Sequence, residues 1–261
     1  MVRSLGPLHN IFRVRQEALI SAAVFLAIGV VWHLTVTILR IPALLLPGPI
    51  TVLQAAVANA DTLLEATAYT FLEILLAINI AATTGFVTAI LIASLPALRR
   101  MVFPYIILTQ VVPKVALAPI LIAWFGIGMQ SRLVLAFLIA YFPMVINTLA
   151  GILGTPEPSL RYTRSLGASE LQLLLKVRLP AALPAIMAGV KITAGVAVIG
   201  IIVGEFVASD QGLGHIIIES LAALDTPLTI AATLVVGCLG LLLLAVLELV
   251  DNRIVYWHHG Q

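Results

Sequence analysis

Residues 161–180 read RYTRSLGASELQLLLKVRLP, with four basic side chains and one acidic one. On either side lie long runs of Leu, Ile, Val, Ala and Gly. A charged island between two apolar runs fixes the class of fold. A soluble domain carries about a quarter charged residues, whereas this chain of 261 residues is 61% hydrophobic and only 10% charged. So few charges cannot clothe a surface that faces water, so the outer face must meet lipid. Inside lipid each backbone polar group has to pair within its own segment or a closed barrel. The apolar runs lack the alternation of a barrel strand, so they are helices.

Working outward from the island, six apolar runs can be drawn, over residues 18–39, 71–95, 101–124, 132–153, 184–207 and 228–250. Each has about the twenty residues that cross a bilayer. The expectation is an all-α integral membrane protein of about six spans, one domain over residues 1–261, with the charged loop at 155–182. The first run is longer than the apolar core of a secretory signal, about 7–15 residues, and is read as a retained span. Between the first two runs, Pro42, Pro47, Gly48 and Pro49 mark a turn. A helix carrying Asp61 and Glu65 is expected to lead from there along the membrane surface into the second span. The third run is interrupted by proline.

Basic residues give the orientation. With the N-terminus inside, Arg3, Arg13, Arg15, Arg99, Arg100, Arg161, Arg164, Lys176, Arg178 and Arg253 all fall on the cytoplasmic side. The loop at 208–227 holds Asp210, Glu219 and Asp225 but no Lys or Arg, and belongs outside. Both termini are then cytoplasmic. The net charge of +2 gives no reason to expect nucleic acid. Cys238 stands alone, and His258 and His259 form a pair without further ligands. No disulfide and no metal site are expected.

The island itself has more order than a topology-setting loop needs. Pro156 and Pro158 close the fourth run, Ser159 is placed to cap a short helix, and Gly167 interrupts. Good helix formers resume until Leu179, Pro180 and Pro184 close the unit. Leu166, Leu171, Leu174 and Leu175 recur at helical spacing beside charges. Two short helices hinged at a glycine suit a knob pressed into a groove on another protein.

The segment LGASELQLLLKVRLPAALPAI resembles the cytoplasmic coupling loop of permease subunits of bacterial ABC importers. That motif has a glycine, nine residues, an aliphatic, one residue and Leu-Pro, matched here by Gly167, Val177, Leu179 and Pro180. Its leading Glu-Ala-Ala falls on Arg161, Tyr162 and Thr163, so that half is absent. LLPGPITVL, VPKVALAPILIAWFGIG, FPMVINTLAGI and IGIIVGEFVASDQGLGHII are similar, in that order, to segments of the nitrate/sulfonate/taurine-type subgroup. The resemblance implies a type I importer fold with about six spans in the bacterial plasma (inner) membrane. It implies a second permease subunit, in a homodimer, two ABC ATPase subunits and an extracytoplasmic solute-binding protein. Arg164, Leu166, Gly167, Ala168, Ser169, Val177, Leu179 and Pro180 would couple to the ATPase. The resemblance suggests a small anion such as nitrate, a sulfonate, taurine or bicarbonate, although members of the family also carry thiamine-precursor pyrimidines, riboflavin and aromatic acids.

No phosphate-binding loop G-x-x-x-x-G-K-[ST] is present, so this chain is read as a non-catalytic subunit without cofactor. ATP and Mg belong on the partner ATPase. A charge at mid-membrane costs about 2.5–3.5 kcal/mol on insertion scales and needs a reason. Lys114, between Pro113 and Pro119, either attracts an anion at a broken helix or serves a structural kink. Gln110, Asn147 and Glu205 are further candidates to line the pathway, each with a structural alternative. Those alternatives are hydrogen bonds between helices for Gln110 and Asn147 and, for Glu205, an ion pair with a basic residue at the subunit interface. Lys191 is expected to reach the inner surface, His33 to be packed or hydrogen-bonded, and Gly212 and Gly214 to form an outer turn. Gly189, Gly195, Gly200 and Gly204 would permit close helix contact. A gradient-driven transporter or channel is the alternative reading, but it has no use for a coupling knob.

Overall fold

The computed structural model describes residues 7–255, and every regular element among them is helical. Arg3 and the pair His258–His259 lie outside the described residues. In order the helices are α1 Pro7–Ile38, α2 Pro49–Ala58, α3 Ala60–Ser94, α4 Pro96–Val111, α5 Ala118–Phe125 and α6 Met129–Leu153. They continue with α7 Glu157–Ser165, α8 Glu170–Leu173, α9 Leu179–Ala208, α10 Leu213–Ala222 and α11 Thr226–Ile254. Among the described residues, four segments are long and apolar enough to span a membrane, and a fifth if α4 and the helical stretch Lys114–Phe125 form one broken span. Six were expected. The remaining one, the first run, lies in the 32-residue helix α1, of which the described apolar stretch is Ala23–Ile38.

The chain falls into two units. In the first, which takes in the chain up to Ala60 and Ser220–Ala231, the turn after α1 is tied back when Trp32 Nε1 donates to the Pro47 carbonyl at 3.1 Å. Pro49 then opens α2, where its missing N–H is no loss. His33 is exposed on α1 instead of packed.

The second unit, Asp61–Glu219 with the chain from Ala232 on, holds the long core. The expected surface helix and second span are one helix of 35 residues, α3, whose buried face runs through Ala66, Thr70, Glu73, Ala77, Ala81, Gly85, Ala89 and Ile92. That spacing of three to four residues is one stripe of a helix. Between α4 and α5 the chain bends by 84°. Val112 is extended, Pro113 caps a 3-10 turn at Lys114–Leu117, and Pro119 stands in the first turn of α5.

Helices α6 and α9 lie antiparallel and very close. A Cβ built on Gly151 would stand 2.8 Å from Ala185 Cβ, one on Gly189 2.9 Å from Asn147 Cβ, and one on Gly200 2.7 Å from Ala136 Cα. On Gly204 it would stand 3.1 Å from Arg132 Cβ. Each pair keeps the same antiparallel register, 151 facing 185 and 204 facing 132. Thr193 Oγ1 adds a hydrogen bond to the Ala140 carbonyl at 3.3 Å. Three of the four glycines expected to permit close contact do so, and Gly195 faces open space.

The break expected at Leu179–Pro180 is absent. One helical rod of 39 residues runs from Glu170 to Ala208, widened to a π turn at Leu174–Arg178. Proline removes one donor and crowds the carbonyl four residues back, and the wider turn precedes Pro180 where that crowding falls. Pro184 is likewise inside α9. Lys191 Nζ bonds to Glu248 and, at 2.5 Å, to Asp251 Oδ2 on α11.

The register makes a specific prediction. Gly200→Ala should cost about 1–3 kcal/mol through overpacking, read as a lower melting temperature in detergent. Gly195→Ala, on the same helix, should leave that temperature unchanged or slightly raised.

Candidate functional site

The knob is built from short-range chemistry. Helix α7 ends in a Schellman turn: Ala168 N donates to the Thr163 carbonyl at 3.4 Å and Gly167 N to the Arg164 carbonyl at 2.9 Å. This turn needs Gly167 at φ +82°, a left-handed backbone that costs other residues about 1–2 kcal/mol. Ser169 then caps α8 in a reciprocal box, its Oγ accepting from Gln172 N at 3.3 Å while Gln172 Oε1 accepts from Ser169 N at 2.9 Å. Ser159, expected as a cap, lies inside α7, whose N-cap is Pro156. Arg164 bridges the turn to Glu170 at 3.1 Å, an exposed pair worth at most about 1 kcal/mol.

Of the expected leucine stripe, Leu174 packs inward while Leu166, Leu171 and Leu175 are exposed, and the other leucines of the knob also divide. Leu160 and Leu173 are buried, and Leu174 and Leu179 pack on Ile152, Ala182 and Ile186. Tyr162, Leu166 and Leu171 point away, at 68%, 70% and 64% exposure. Of the expected docking residues, Arg164, Leu166, Gly167 and Ser169 are exposed at the turn, Ala168 is half-buried, and Pro180 is exposed at the root. Val177 is half-buried and Leu179 faces the chain's own core.

A second feature lies at the bend after α4. Gln110, Lys114 and Asn147, three of the expected pathway residues, line one cavity of about 320 Å3 with Ile139, Phe142, Pro143 and Ile146. Lys114 Nζ sits 4.9 Å from the centre of the Phe142 ring, a cation–π contact. Asn147 Nδ2 donates to the Pro143 carbonyl at 2.8 Å, within its own helix and not across to another. The cavity has one cation, one carboxamide from each of two helices and an apolar wall. That set can attract and orient a small anion. Pro113 and Pro119 do not line it; they shape the bend that presents Lys114.

Glu205 lies elsewhere, in a buried polar cluster, with Thr70 Oγ1 and Gly214 N donating to it at 2.7 and 2.6 Å. No basic side chain bonds to it among the described residues. The ion pair in this cluster is made by Glu73. Arg132 Nε donates to both Glu73 oxygens, at 3.2 and 2.9 Å, and each residue is 1% exposed. Arg132 also donates to the Ala208 carbonyl at 2.6 Å and to Tyr69 Oη at 2.7 Å. Neither Glu73 nor Arg132 was singled out from sequence. A signal existed: each is an ionisable residue in or at the end of an apolar run, which calls for an opposite charge within reach.

Breaking this pair should cost about 3–5 kcal/mol, since it leaves a buried charge unpaired. Arg132→Met alone should therefore sharply lower thermal stability in detergent. The double variant Glu73→Leu, Arg132→Met should recover much of the loss. No recovery would mean that the Ala208 and Tyr69 bonds carry the stability.

A family described as "Binding-protein-dependent transport system inner membrane component" matches residues 81–256. The chain is 35% identical to a "Probable ABC transporter permease protein" of Haemophilus influenzae, over 87% of this chain and 92% of that one. It is 30% identical to the formylaminopyrimidine transport permease protein of Halalkalibacterium halodurans, over 94% and 98%. It is 32% identical to the taurine transport system permease protein of Escherichia coli, over 93% and 91%.

Proposed function

Because the chain belongs to the binding-protein-dependent transport system inner membrane component family, we propose that it forms the solute pathway of an ABC importer and is driven through its Gly167 knob. As a member of that family it is a non-catalytic permease subunit of an inner-membrane ABC transporter, which implies ATPase and binding-protein partners. The finer reading concerns how force enters and what is carried. Two copies of the chain would stand side by side, each docking its knob on one ATPase subunit, where ATP and Mg are held. A binding protein would deliver solute from the outer side.

The exposed face of the knob is the observation that carries the coupling. Tyr162, Leu166 and Leu171 lie on a turn fixed by the positive φ of Gly167 and the cap at Ser169. Apolar side chains outside a lipid-facing helix, on a rigid short turn, suit burial in a protein groove. The knob's own root is separately secured by Leu160 and Leu173. The outward residues are therefore free to serve a partner.

The Lys114 cavity supports a small anionic solute. Its single cation balances one negative charge, and Gln110 and Asn147 supply amide groups. Taurine, named for one relative, carries a sulfonate; formylaminopyrimidine, named for another, does not. The lone lysine favours the former class.

Two measurements test this reading. A Cβ added at position 167 meets nothing of this chain within 4 Å and the position is exposed, so Gly167→Leu should remain inserted. Turn strain of ~1–2 kcal/mol should still reduce co-purified ATPase and ATP-driven uptake by about tenfold. Normal uptake by this variant would refute the coupling role. Lys114→Gln should raise the KM for an anionic solute about tenfold or more, as loss of a charged hydrogen bond implies. An unchanged KM would remove Lys114 from the pathway.

A further inference from the structure

The end of α9 opposite the knob is held by a carboxylate with both oxygens engaged. Glu205, 1% exposed, accepts from Thr70 Oγ1 on α3 through Oε1 and from Gly214 N through Oε2. Thr70 Oγ1, itself fully buried, accepts in turn from Leu213 N at 2.8 Å. Leu213 and Gly214 open α10, and the first N–H groups of a helix have no partner within it. Here two of them are capped by side chains, one of them, Thr70, 143 residues from the N–H that it caps. The turn is also moulded around the carboxylate. Gly212 has φ +95° and would bring a Cβ onto Glu205 Oε1, and a Cβ on Gly214 would stand 2.6 Å from Glu205 Cβ. Beside it, Arg132 holds the Ala208 carbonyl at the last residue of α9 and binds Glu73 and Tyr69 on α3.

A serine or aspartate within the turn would cap these N–H groups without placing a carboxylate in an apolar helix, so holding the turn shut does not account for Glu205. What Glu205 adds is a bond between the turn and α9 itself. The same rod begins at the knob: Glu170–Ala208 is 39 residues, about 58 Å at 1.5 Å per residue. Along its length it is seated on α6 by the glycine and alanine contacts from 151 to 204.

We propose that Glu205 and Thr70 are positioning residues for transport, clamping the turn at 209–214 to the rod so that a push on the knob reaches the opposite mouth of the pathway undiminished. This rests on the reading of the knob as the point where the ATPase acts. The turn, α9 and the knob then move as one body, and solute release is tied to the nucleotide cycle by side-chain contacts within one subunit.

The test uses the assembled transporter in lipid, with Cys238→Ser and spin labels at positions 161 and 211, both exposed. In the parent protein the distance distribution between labels should be narrow and its mean the same with and without ATP. Thr70→Val, which removes the hydroxyl that joins Glu205 to Leu213, should broaden it. ATPase should co-purify as before, while solute carried per ATP hydrolysed falls ~5-fold or more, in the range of ordinary coupling between sites. Glu205→Gln, an isosteric change, should give the same effects in milder form and stands in should Thr70→Val fail to insert. An unchanged width and an unchanged transport ratio in the inserted variants would overturn the clamp, as would a parent distance that changes with nucleotide. Failure of the parent protein to retain ATPase would instead refute the knob's role. The label widths of the permease alone would still decide the clamp, broadening in Thr70→Val supporting it and no broadening refuting it.

Discussion

The close approach of α6 and α9 is the constraint on which the rest of the second unit depends. Lipid tails are as apolar as leucine, so two helices in a bilayer gain little from hiding apolar side chains from each other. What holds them is dispersion, and dispersion fades within a fraction of an ångström of a gap. Gly151, Gly189, Gly200 and Gly204 remove the atoms that would keep the backbones apart. Once the register is set, Arg132 must lie beside Gly204, within reach of the Ala208 carbonyl. Glu73 on α3 meets it there. A small-residue seam thus places a charged group that would otherwise be costly in the membrane.

The two ends of the α9 rod are stabilised by different physics. At the knob, contacts are local and wet: a Schellman turn, a capping box and an exposed Arg164–Glu170 pair, each worth of order 1 kcal/mol. Such a structure is firm in outline but leaves Tyr162, Leu166 and Leu171 uncovered. At the other end the contacts are buried and join residues as far apart in sequence as Thr70 and Leu213. Removing one partner there leaves an unpaired polar group in a dry site, which costs several times more.

Much of the fold was legible because prolines and glycines punctuate it. Pro49, Pro96, Pro113 and Pro119 all stand at helix starts or at the cap before one, where a missing donor does no harm. Gly167 marks the hinge because its φ is one that few other residues adopt. The same rule misled at Leu179–Pro180, where a π turn absorbs the proline and the helix continues. Local signals cannot tell a helix end from a helix that adjusts. The Lys114 cavity was partly legible, since Lys114 and Gln110 lie on one segment; Asn147 joins them only through the packing of α6.

Composition and patterning alone determined that this chain is a set of membrane helices with one charged, glycine-hinged knob. Those properties follow from solvation and from backbone sterics, which act over a few residues. The partners of its buried charges were decided only in three dimensions. Glu73 lies 59 residues from Arg132, and Thr70 lies 135 from Glu205. Such pairs form only when the helices' small residues settle their register, and that depends on shapes that no single stretch of sequence contains.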